Sequence, residues 1–443
     1  MSRPKPLSGF PELSPEARIV EQHVLDLLRE TFELHGFGSV ETRSVEPLDR
    51  LAKQGEIDKG VYAVQRLHAG EDTRAELGLH FDLTVPFARY VLENAHQLAF
   101  PFRRYQIQKV WRGERPQEGR YREFTQADVD TVDAGTLAPH HDVELPLVTL
   151  GALERLHVDL GLPPVLMRVN NRRLSQGFYL GLDIEDPPAV LRQVDKLDKI
   201  GPQRVRDLLV DEVGVSSAQA ASVVELARIS TADESFVDRV RALGVRHDEL
   251  DAGLELLADV VRVAGRHVPG RLVADLKIAR GLDYYTGTVY ETELVGFESW
   301  GSISSGGRYE SLATDGRTTY PGVGLSIGVT RLLAPLLGRG LLQASRPVPT
   351  AVLVALESEE TREEAVGVAE RLRRRGVACE VAPKADRFGK QIRYADRRGI
   401  PFVWFGGIRG EVKDIRSGEQ LPADAGRWLP PEEDLRPRVT AGG

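Results

Sequence analysis

Hydrophobic and polar positions alternate from Arg103 to Asp130, which predicts two strands joined by a polar loop. The loop contains Gly113, Pro116 and Gly119, which mark a turn. Successive strand residues point to opposite faces of a sheet. One face of the second strand is therefore formed by Arg120, Arg122, Phe124, Gln126, Asp128 and Asp130. Arginines lie at the loop end of this face and carboxylates at its far end.

This polarised face predicts a binding site for a substrate pair with an anionic end and a cationic end. Guanidinium groups bind phosphate in a bidentate manner, so Arg112 and Arg120 indicate a nucleotide. Carboxylates and a glutamine suit an ammonium group or an imidazole. On this stretch alone, an ordinary solvated hairpin face is an equally good interpretation.

Helical periodicity appears in two other parts of the chain. Between Ser14 and Gly36 apolar residues recur at helical spacing, with Ser14 as N-cap, Pro15 in the first turn and Gly36 at the far end. From about 174 to 266, arginine, aspartate and valine mix at helical spacing without a strand-like run. That second stretch predicts an inserted helical domain whose basic residues form a solvated face.

From Pro347 onward, strand-like and helix-like segments alternate as β-α-β-α-β. This order predicts a small doubly wound domain with a mainly parallel sheet. The second predicted helix carries a basic patch that includes Lys390 and Arg393. Such a patch can neutralise phosphates, although a solvated helix face is the simpler role for any single residue.

Length and composition limit the number of domains, the class of protein and the compartment that it fits. The 443 residues imply about three domains, and 41% hydrophobic with 28% charged residues are globular values. The single cysteine, Cys379, excludes an intrachain disulfide framework and fits a reducing compartment. With no apolar signal region at the start and no run of 18 apolar residues, we expect a cytoplasmic protein. The net charge of −8 argues against a wholly basic surface but permits a local one.

Four segments resemble class II aminoacyl-tRNA synthetases. WRGERPQEGRYREFTQ, from Trp111 to Gln126, resembles motif 2 in its histidyl form. ARGLDYYTGTVYE, which begins at Ala279, resembles the histidyl-specific motif, and PGVGLSIGVTRLL from Pro321 resembles motif 3. SSGGRYESL, from Ser304, is similar to a second histidyl motif, but Glu-Ser stands where the family usually has Asp-Gly.

The resemblance implies an α+β fold with an antiparallel-sheet catalytic domain, a helical insertion and a C-terminal α/β anticodon-binding domain. The predicted boundaries are 1–173 and 267–340 for the two parts of the catalytic domain, 174–266 for the insertion and 347–432 for the anticodon-binding domain. It also implies a homodimer that pairs through the first long helix. Arg43 stands where the family commonly has a proline.

The resemblance also assigns site residues. The implied catalytic residues are Arg112 and Arg280, which converge on the α-phosphate of ATP. The implied histidine-binding residues are Asp82, Thr84, Gln126, Asp130, Tyr284 and Tyr285. The implied ATP-binding residues are Arg112, Glu114, Arg120 and Arg331. The implied tRNA-binding residues are Arg115, Gln117, Lys390 and Arg393. No protein-bound metal is predicted, and magnesium is expected only with ATP.

Three further expectations concern how the site residues are placed. Asp82 and Thr84 are expected to share one strand face. Tyr284 and Tyr285, as strand neighbours, are expected to face opposite ways, so that Tyr285 alone enters the site. Glycines at 322, 324 and 328 are expected to leave room for the adenine base, on which Arg331 would stack.

The activity implied is activation of histidine by ATP, followed by transfer to tRNA. Two alternatives are a synthetase-like regulatory subunit of ATP phosphoribosyltransferase and a class II synthetase for another amino acid. The intact motif from Arg280 to Tyr285 and the C-terminal domain disfavour the first alternative, and the tandem tyrosines disfavour the second.

Overall fold

A computed structural model describes residues 5–51, 60–68, 74–278 and 284–442. The α-helices are α1 (Pro15–Leu34), α2 (Leu48–Leu51), α3 (Thr84–Asn94), α4 (His140–Leu160), α5 (Arg172–Gly181), α6 (Pro187–Val194), α7 (Leu197–Leu208), α8 (Ser217–Ala227), α9 (Phe236–Ala242), α10 (Asp248–His267), α11 (Val329–Gly338), α12 (Arg362–Arg374), α13 (Phe388–Arg398) and α14 (Glu432–Leu435). Short helical turns of other types are Leu209–Val213 (π), Glu298–Trp300 and Glu359–Thr361 (3-10).

The strands are β1 (Gly38–Ser39), β2 (Val45–Pro47), β3 (Ala63–Val64), β4 (Leu77–Leu79), β5 (Phe102–Trp111), β6 (Glu123–Val132), β7 (Val165–Asn171), β8 (Ser230–Thr231), β9 (Leu272–Asp275), β10 (Thr288–Leu294), β11 (Ser304–Thr314), β12 (Thr319–Gly328), β13 (Leu342–Ala344), β14 (Val352–Val354), β15 (Cys379–Val381), β16 (Phe402–Phe405), β17 (Arg409–Asp414), β18 (Gln420–Asp424) and β19 (Val439–Ala441).

The chain divides into two compact units, one with residues to Pro11 and Leu25–Pro335, the other with Glu12–Val24 and Leu336–Gly443. The four-part division predicted from the sequence is a finer one, and its boundaries stay predictions. Within the described ranges, no helix combines the length and the apolar character that a membrane crossing requires.

The first helix begins and ends where its capping residues predict. Helix α1 starts at Pro15, and the Ser14 hydroxyl accepts a hydrogen bond from the amide of Ala17 at 3.2 Å. After Leu34 the chain turns through Gly36, whose φ of +79° is the left-handed conformation that glycine adopts without strain. The predicted capping pattern is confirmed.

A nine-stranded sheet organises the first unit, in the order β1-β5-β6-β12-β11-β10-β7-β9-β8. Its central strands β5, β6, β12, β11, β10 and β7 pair antiparallel. Helix α3 packs on β11, α4 packs on β12, and α10 packs on β7 and β9. Buried apolar side chains of α3, such as Phe87 and Val91, join Val289 and Tyr309 of the sheet in one core cluster. The predicted α+β class with an antiparallel catalytic sheet is confirmed.

The hairpin predicted from Arg103 to Asp130 is present as β5 and β6. The two strands pair over ten residues each, and the connection from 112 to 122 carries the glycines and the proline. Cross-strand partners share a face of a sheet. The face of β6 with Gln126, Asp128 and Asp130 therefore has defined neighbours on β5 and β12.

Helices α5 to α10 occupy most of the stretch from Arg172 to His267. Strand β7 precedes these helices and ends at Asn171. The Asn171 side chain accepts a hydrogen bond from the amide of Arg173 at 3.0 Å and so caps α5.

The second unit contains a five-stranded sheet in the order β15-β14-β16-β17-β18. Strand β14 pairs parallel with β15 and β16, whereas β17 and β18 add antiparallel. Helices α12 and α13 are the two crossovers, and fully buried residues such as Leu353, Val354 and Trp404 form the core. The predicted β-α-β-α-β order is confirmed.

Candidate active site

Two cavities adjoin on the nine-stranded sheet. The arginine cleft, of about 280 Å³, is lined by Arg112, Glu114, Gly119, Arg120, Tyr121, Phe124, Gln126, Glu291, Gly301, Ser302, Ile303, Ser304, Ser305, Ser326, Gly328 and Arg331. The acid pocket, of about 200 Å³, is lined by Asp82, Thr84, Arg112, Gln126, Asp128, Tyr284, Tyr285, Tyr290, Glu291, Ser305, Gly306 and Ser326. The lining residues common to both form a shared wall of Arg112, Gln126, Glu291, Ser305 and Ser326. The two cavities are therefore adjacent, with Arg112 and Gln126 on their common boundary.

Three guanidinium groups make the arginine cleft an anion site. Burial lowers the pKa of Arg331, and the nearby positive charges of Arg120 and Arg112 lower it further. The Arg331 guanidinium is held by a 2.6 Å hydrogen bond from Nη2 to the Trp300 carbonyl. Like charges placed together are offset when a polyanion binds, so the cleft suits the phosphates of a nucleotide.

Arg112 is positioned by the strand it follows. It comes directly after β5, and its amide donates to the Arg122 carbonyl at 2.8 Å across the hairpin. Its Nε donates to the Phe81 carbonyl at 3.0 Å, and its guanidinium carbon lies 5.1 Å from the Phe124 ring centre. These contacts orient the side chain at the shared wall, where both cavities can use its charge.

Asp82 and Thr84 both line the acid pocket, but they do not lie on a strand. Strand β4 ends at Leu79, and Thr84 is the first residue of α3. Asp82 Oδ1 accepts a hydrogen bond from the amide of Val85 at 3.1 Å. The expected strand face is therefore wrong, because a carboxylate that caps the first turn of a helix is the arrangement that forms. Burial raises the pKa of Asp82.

Both tandem tyrosines line the acid pocket. Strand β10 begins only at Thr288, so strand alternation does not apply to Tyr284 and Tyr285, and the expectation that one of them faces away is wrong. Their ring centres lie 4.8 Å apart in an edge-to-face arrangement. The Tyr284 hydroxyl donates to Asp82 Oδ2 at 2.9 Å, and burial raises the pKa of Tyr285.

Gln126 connects the two cavities through a polar cross-strand pair. Its Nε2 donates to Ser326 Oγ on β12 at 2.8 Å. Its Oε1 is buried and has no hydrogen-bond partner in the described part of the chain. A buried acceptor without a partner is ready to receive a donor from a ligand.

Asp130 does not line either cavity, because other side chains occupy both of its carboxylate oxygens. Arg104, its partner on β5, places Nη2 2.8 Å from Asp130 Oδ2. The Tyr309 hydroxyl donates to Oδ1 at 3.0 Å. Both members of the ion pair are buried, at 0% and 2% exposure of their side chains. The predicted contact of Asp130 with histidine is therefore not visible in this arrangement.

Two of the motif 3 glycines, Gly322 and Gly324, make room for the side chains of Tyr309 and Asp130 and not for a base. A Cβ at position 324 would lie 2.1 Å from Asp130 Oδ1, and one at 322 would lie 2.4 Å from the Tyr309 ring. The expectation that Gly322 and Gly324 leave space for adenine is wrong. Gly328 does line the arginine cleft, where β12 passes into α11 and places Arg331.

Sequence reasoning did not single out Asp128, although this carboxylate lines the acid pocket. It lies opposite Gln106 on β5 and Ser326 on β12. Burial raises the pKa of Asp128 to about 7; Arg104 opposes this effect and Asp130 adds to it. The available signal was strand alternation, which puts Asp128 on the same face as Gln126.

The remaining predicted residues fall into three groups. Glu114, Arg120 and Arg331 line the arginine cleft, as their predicted contact with ATP requires. Arg115 and Gln117 are exposed on the β5–β6 connection. In the second unit, the predicted tRNA contacts lie at the surface of one further cavity, which includes Lys390 and Arg393. Arg280 lies outside the described residues, so its position relative to Arg112 stays a prediction.

An antiparallel sheet with motif 2 and motif 3 around an arginine-rich cleft defines a class II aminoacyl-tRNA synthetase catalytic domain. Residues 9–332 match the family described as histidyl-tRNA synthetase, and residues 350–420 match the anticodon binding domain. The chain belongs to the histidyl-tRNA synthetase family. The family membership and the enzyme class predicted from the sequence motifs are both confirmed.

Similar proteins cover nearly the whole chain. A histidine–tRNA ligase of Cutibacterium acnes is 65% identical, and one of Micrococcus luteus is 59% identical, each with 99% of both chains covered. The crystal structure of histidyl-tRNA synthetase from Nostoc sp. PCC 7120 is similar with a TM-score of 0.83 and 32% identity, covering 96% of this chain and 98% of that one. The predicted function, and not the regulatory-subunit alternative, is the one these similarities support.

Proposed function

We propose that this chain is a histidine–tRNA ligase that uses the acid pocket for histidine and the arginine cleft for ATP. The observation that carries the proposal is the shared wall, because Arg112 and Gln126 border both cavities. Histidine carries its carboxylate and its amino group on one carbon, so both groups can meet ATP at this wall. Holding two reactants in this way replaces a bimolecular encounter by an oriented one.

The reaction proceeds in two steps. In the first, a carboxylate oxygen of histidine attacks the α-phosphorus of ATP, the bond to the bridging oxygen breaks, and pyrophosphate leaves. In the second, a terminal ribose hydroxyl of tRNA attacks the acyl carbon, AMP leaves, and the hydroxyl proton is lost. Phosphoryl chemistry of this kind depends mostly on positioning and charge stabilisation.

Two arginines are proposed to stabilise the charge that develops on the α-phosphate. Arg112 lies at the shared wall, in reach of both the attacking carboxylate and the phosphate. Arg280 is proposed from the histidyl motif to approach from the other side. Guanidinium groups suit this role because they are always charged and offer several donors in one plane.

Recognition of histidine is proposed to depend on the acid pocket. Asp82, Thr84 and Gln126 would hold the ammonium group, with Tyr284 fixing the Asp82 carboxylate. Tyr285 would contact the imidazole. The same role stays a prediction for Asp130, whose oxygens are engaged by Arg104 and Tyr309.

ATP is proposed to lie along the arginine cleft. Arg120 and Glu114 would contact the phosphates and the base edge, and Arg331 would stack on adenine at the start of α11. Within the described ranges no cluster of three or more metal-ligating side chains is found. Magnesium needs only one or two carboxylates when phosphates supply the other ligands, so Glu114 and Glu291 fit an ion that arrives with ATP.

The tRNA is proposed to contact both units of the chain. Arg115 and Gln117 would meet the acceptor end, and Lys390 and Arg393 would meet the anticodon region. We also propose that the protein is a cytoplasmic homodimer, because the family resemblance implies pairing through the first long helix and the single cysteine fits a reducing compartment. Sedimentation velocity should then give twice the chain mass of 49.0 kDa.

Aminoacylation of bulk tRNA with each amino acid in turn tests the proposed function. We expect charging with histidine alone, since buried hydrogen-bonding groups reject side chains that cannot satisfy them. Charging with a different amino acid would assign the chain to another specificity. No charging with any amino acid, by folded protein that binds ATP, would contradict a ligase function.

Replacing either proposed catalytic arginine should remove the first step. We expect Arg112→Ala and Arg280→Ala each to lower the rate of histidine-dependent ATP–pyrophosphate exchange by about 100- to 1,000-fold, because each removes a preorganised positive charge. Lys109→Ala is the control, since Lys109 is exposed on β5 and pairs with Glu123. Exchange within about threefold of wild type would remove that arginine from the mechanism.

A further inference from the structure

Asp128 is a buried carboxylate with an oxygen left unpaired at a ligand pocket. It is 2% exposed, lines the acid pocket, and its Oδ1 has no hydrogen-bond partner among the residues that the structure describes. Ser326 interacts with the carboxylate. A buried carboxylate oxygen without a donor is costly, so a donor from a bound ligand would stabilise it.

The register of the sheet explains why this oxygen is unpaired. Opposite Asp128 on β5 lies Gln106, whose Nε2 already donates to Thr42 Oγ1 at 2.9 Å and to Gln108 Oε1 at 2.6 Å. Arg104 lies one step further along the same face, where it pairs with Asp130. Its Nη2 is therefore engaged by Asp130.

The charge balance of the pocket also calls for a positively polarised ligand. The charged groups that influence Asp128 are Arg104, Asp130 and Asp82. The other titratable residues that line the pocket are Arg112, Tyr284, Tyr285, Tyr290 and Glu291. Carboxylates outnumber cations on this inner side, and an imidazole N–H or imidazolium supplies the missing donor.

Distance along β6 decides which part of histidine reaches Asp128. The amino group shares its carbon with the reacting carboxylate, so it stays at the shared wall near Gln126. Asp128 lies two residues further along the strand, or about 7 Å away. The ring, at the other end of the side chain, is the part of histidine that extends this far.

We infer that Asp128 Oδ1 accepts a hydrogen bond from a ring N–H of histidine and so contributes to the selection of this amino acid. This inference rests on the proposed function and adds a residue that the motif comparison did not assign. It makes histidine binding sensitive to pH. Below about pH 7 the Asp128 carboxyl holds a proton and is a poorer acceptor; above it the carboxylate is ionised, so binding becomes tighter as pH rises.

The test is the KM for histidine in ATP–pyrophosphate exchange from about pH 6 to about pH 8.5, for wild type and Asp128→Asn. The asparagine keeps the shape but cannot ionise. At pH 8 we expect its KM for histidine to be about tenfold higher or more, with KM for ATP within about twofold of wild type. The fall in KM with rising pH should be lost. Glu249→Gln, at an exposed carboxylate that lines neither cavity, is the comparison and should retain that fall.

A second measurement needs no variant and so does not depend on folding. Triazolylalanine, whose ring stays neutral across this pH range, is used as substrate with the wild-type protein. Its KM should still fall as pH rises through about 7, because the titrating group belongs to the protein. A flat profile, or an Asp128→Asn profile equal to wild type, would overturn the inference. Absence of any histidine-dependent exchange in wild type would instead contradict the proposed function.

Discussion

The buried ion pair with Arg104 gives Asp130 a structural role next to the acid pocket. Arg104 also donates to the Leu83 carbonyl at 3.3 Å, and its guanidinium carbon lies 4.3 Å from the Phe87 ring centre. These contacts tie β5 to the beginning of α3, which carries Thr84. Asp130 therefore contributes to the acid pocket indirectly. It pairs with Arg104, and Arg104 contacts the start of α3.

Removing one partner of this pair should destabilise the fold. We expect Asp130→Ala to lower the free energy of unfolding by about 3–5 kcal/mol, since Arg104 is left buried and uncompensated. Urea denaturation followed by circular dichroism measures the change. Glu249→Ala is the control, because its pair with Arg173 is about half exposed and should contribute less than about 1 kcal/mol. A loss for Asp130→Ala no greater than for the control would mean that the buried pair does not stabilise the fold.

Single residues were predictable where a local rule fixes them. Ser14 and Gly36 were assigned correctly as caps, because capping depends on neighbours within one turn. Asp128 and Asp130 could not be separated, since both lie on the same strand face. Their different roles depend on Arg104 from a neighbouring strand, and strand alternation carries no information about that partner.

At the scale of elements, close packing of β11 against β12 shapes the site. A Cβ at Gly306 would lie 2.1 Å from the Gly324 carbonyl oxygen, which is backbone and cannot rotate away. Gly306 also lines the acid pocket. The glycine therefore sets both the contact between two strands and the depth of the pocket.

Adding a single methyl group at this position should separate the strands. We expect Gly306→Ala to lower the free energy of unfolding by about 1–3 kcal/mol through overpacking and to raise KM for histidine more than KM for ATP. Gly265→Ala in α10 has open space around its Cβ and should instead raise stability by about 0.5–1 kcal/mol. Thermal denaturation and exchange kinetics measure both effects. Unchanged stability of Gly306→Ala would show that the strands can move apart at no cost.

Elements were predictable where periodicity was long. The β5–β6 hairpin and the alternating order of the second unit follow directly from the sequence. The segments around Thr84 and Tyr285 were assigned wrongly to strands, because a few residues before a helix or a strand carry no periodicity. The loops that result bring both tyrosines and Asp82 into one pocket.

At the scale of the whole molecule, the candidate reaction site and the proposed anticodon contacts belong to different units. All residues that line the arginine cleft and the acid pocket belong to the first unit. The basic surface of α13 belongs to the second. Activation of histidine should therefore be insensitive to changes on α13, whereas charging of tRNA should not.

Charge reversal on α13 tests this separation. We expect Lys390→Glu with Arg393→Glu to leave pyrophosphate exchange within about twofold of wild type and to raise KM for tRNA by about tenfold, because phosphate contacts are lost. Reversal of the exposed pair Arg371 and Arg374 on α12 is the charge-matched control and should have a smaller effect. Equal effects of the two double variants would indicate a response to net charge alone.

The positions of the four tryptophans give the protein internal optical probes. Trp111 directly precedes Arg112, and the Trp300 carbonyl holds Arg331, so both tryptophans belong to segments that position arginines of the cleft. Trp404 and Trp428 lie in the second unit, with ring centres 5.9 Å apart. Indole fluorescence responds to nearby charge and solvent. Emission from the first pair should therefore change when a ligand shifts these segments, while the second pair supplies a reference within the same unlabelled chain.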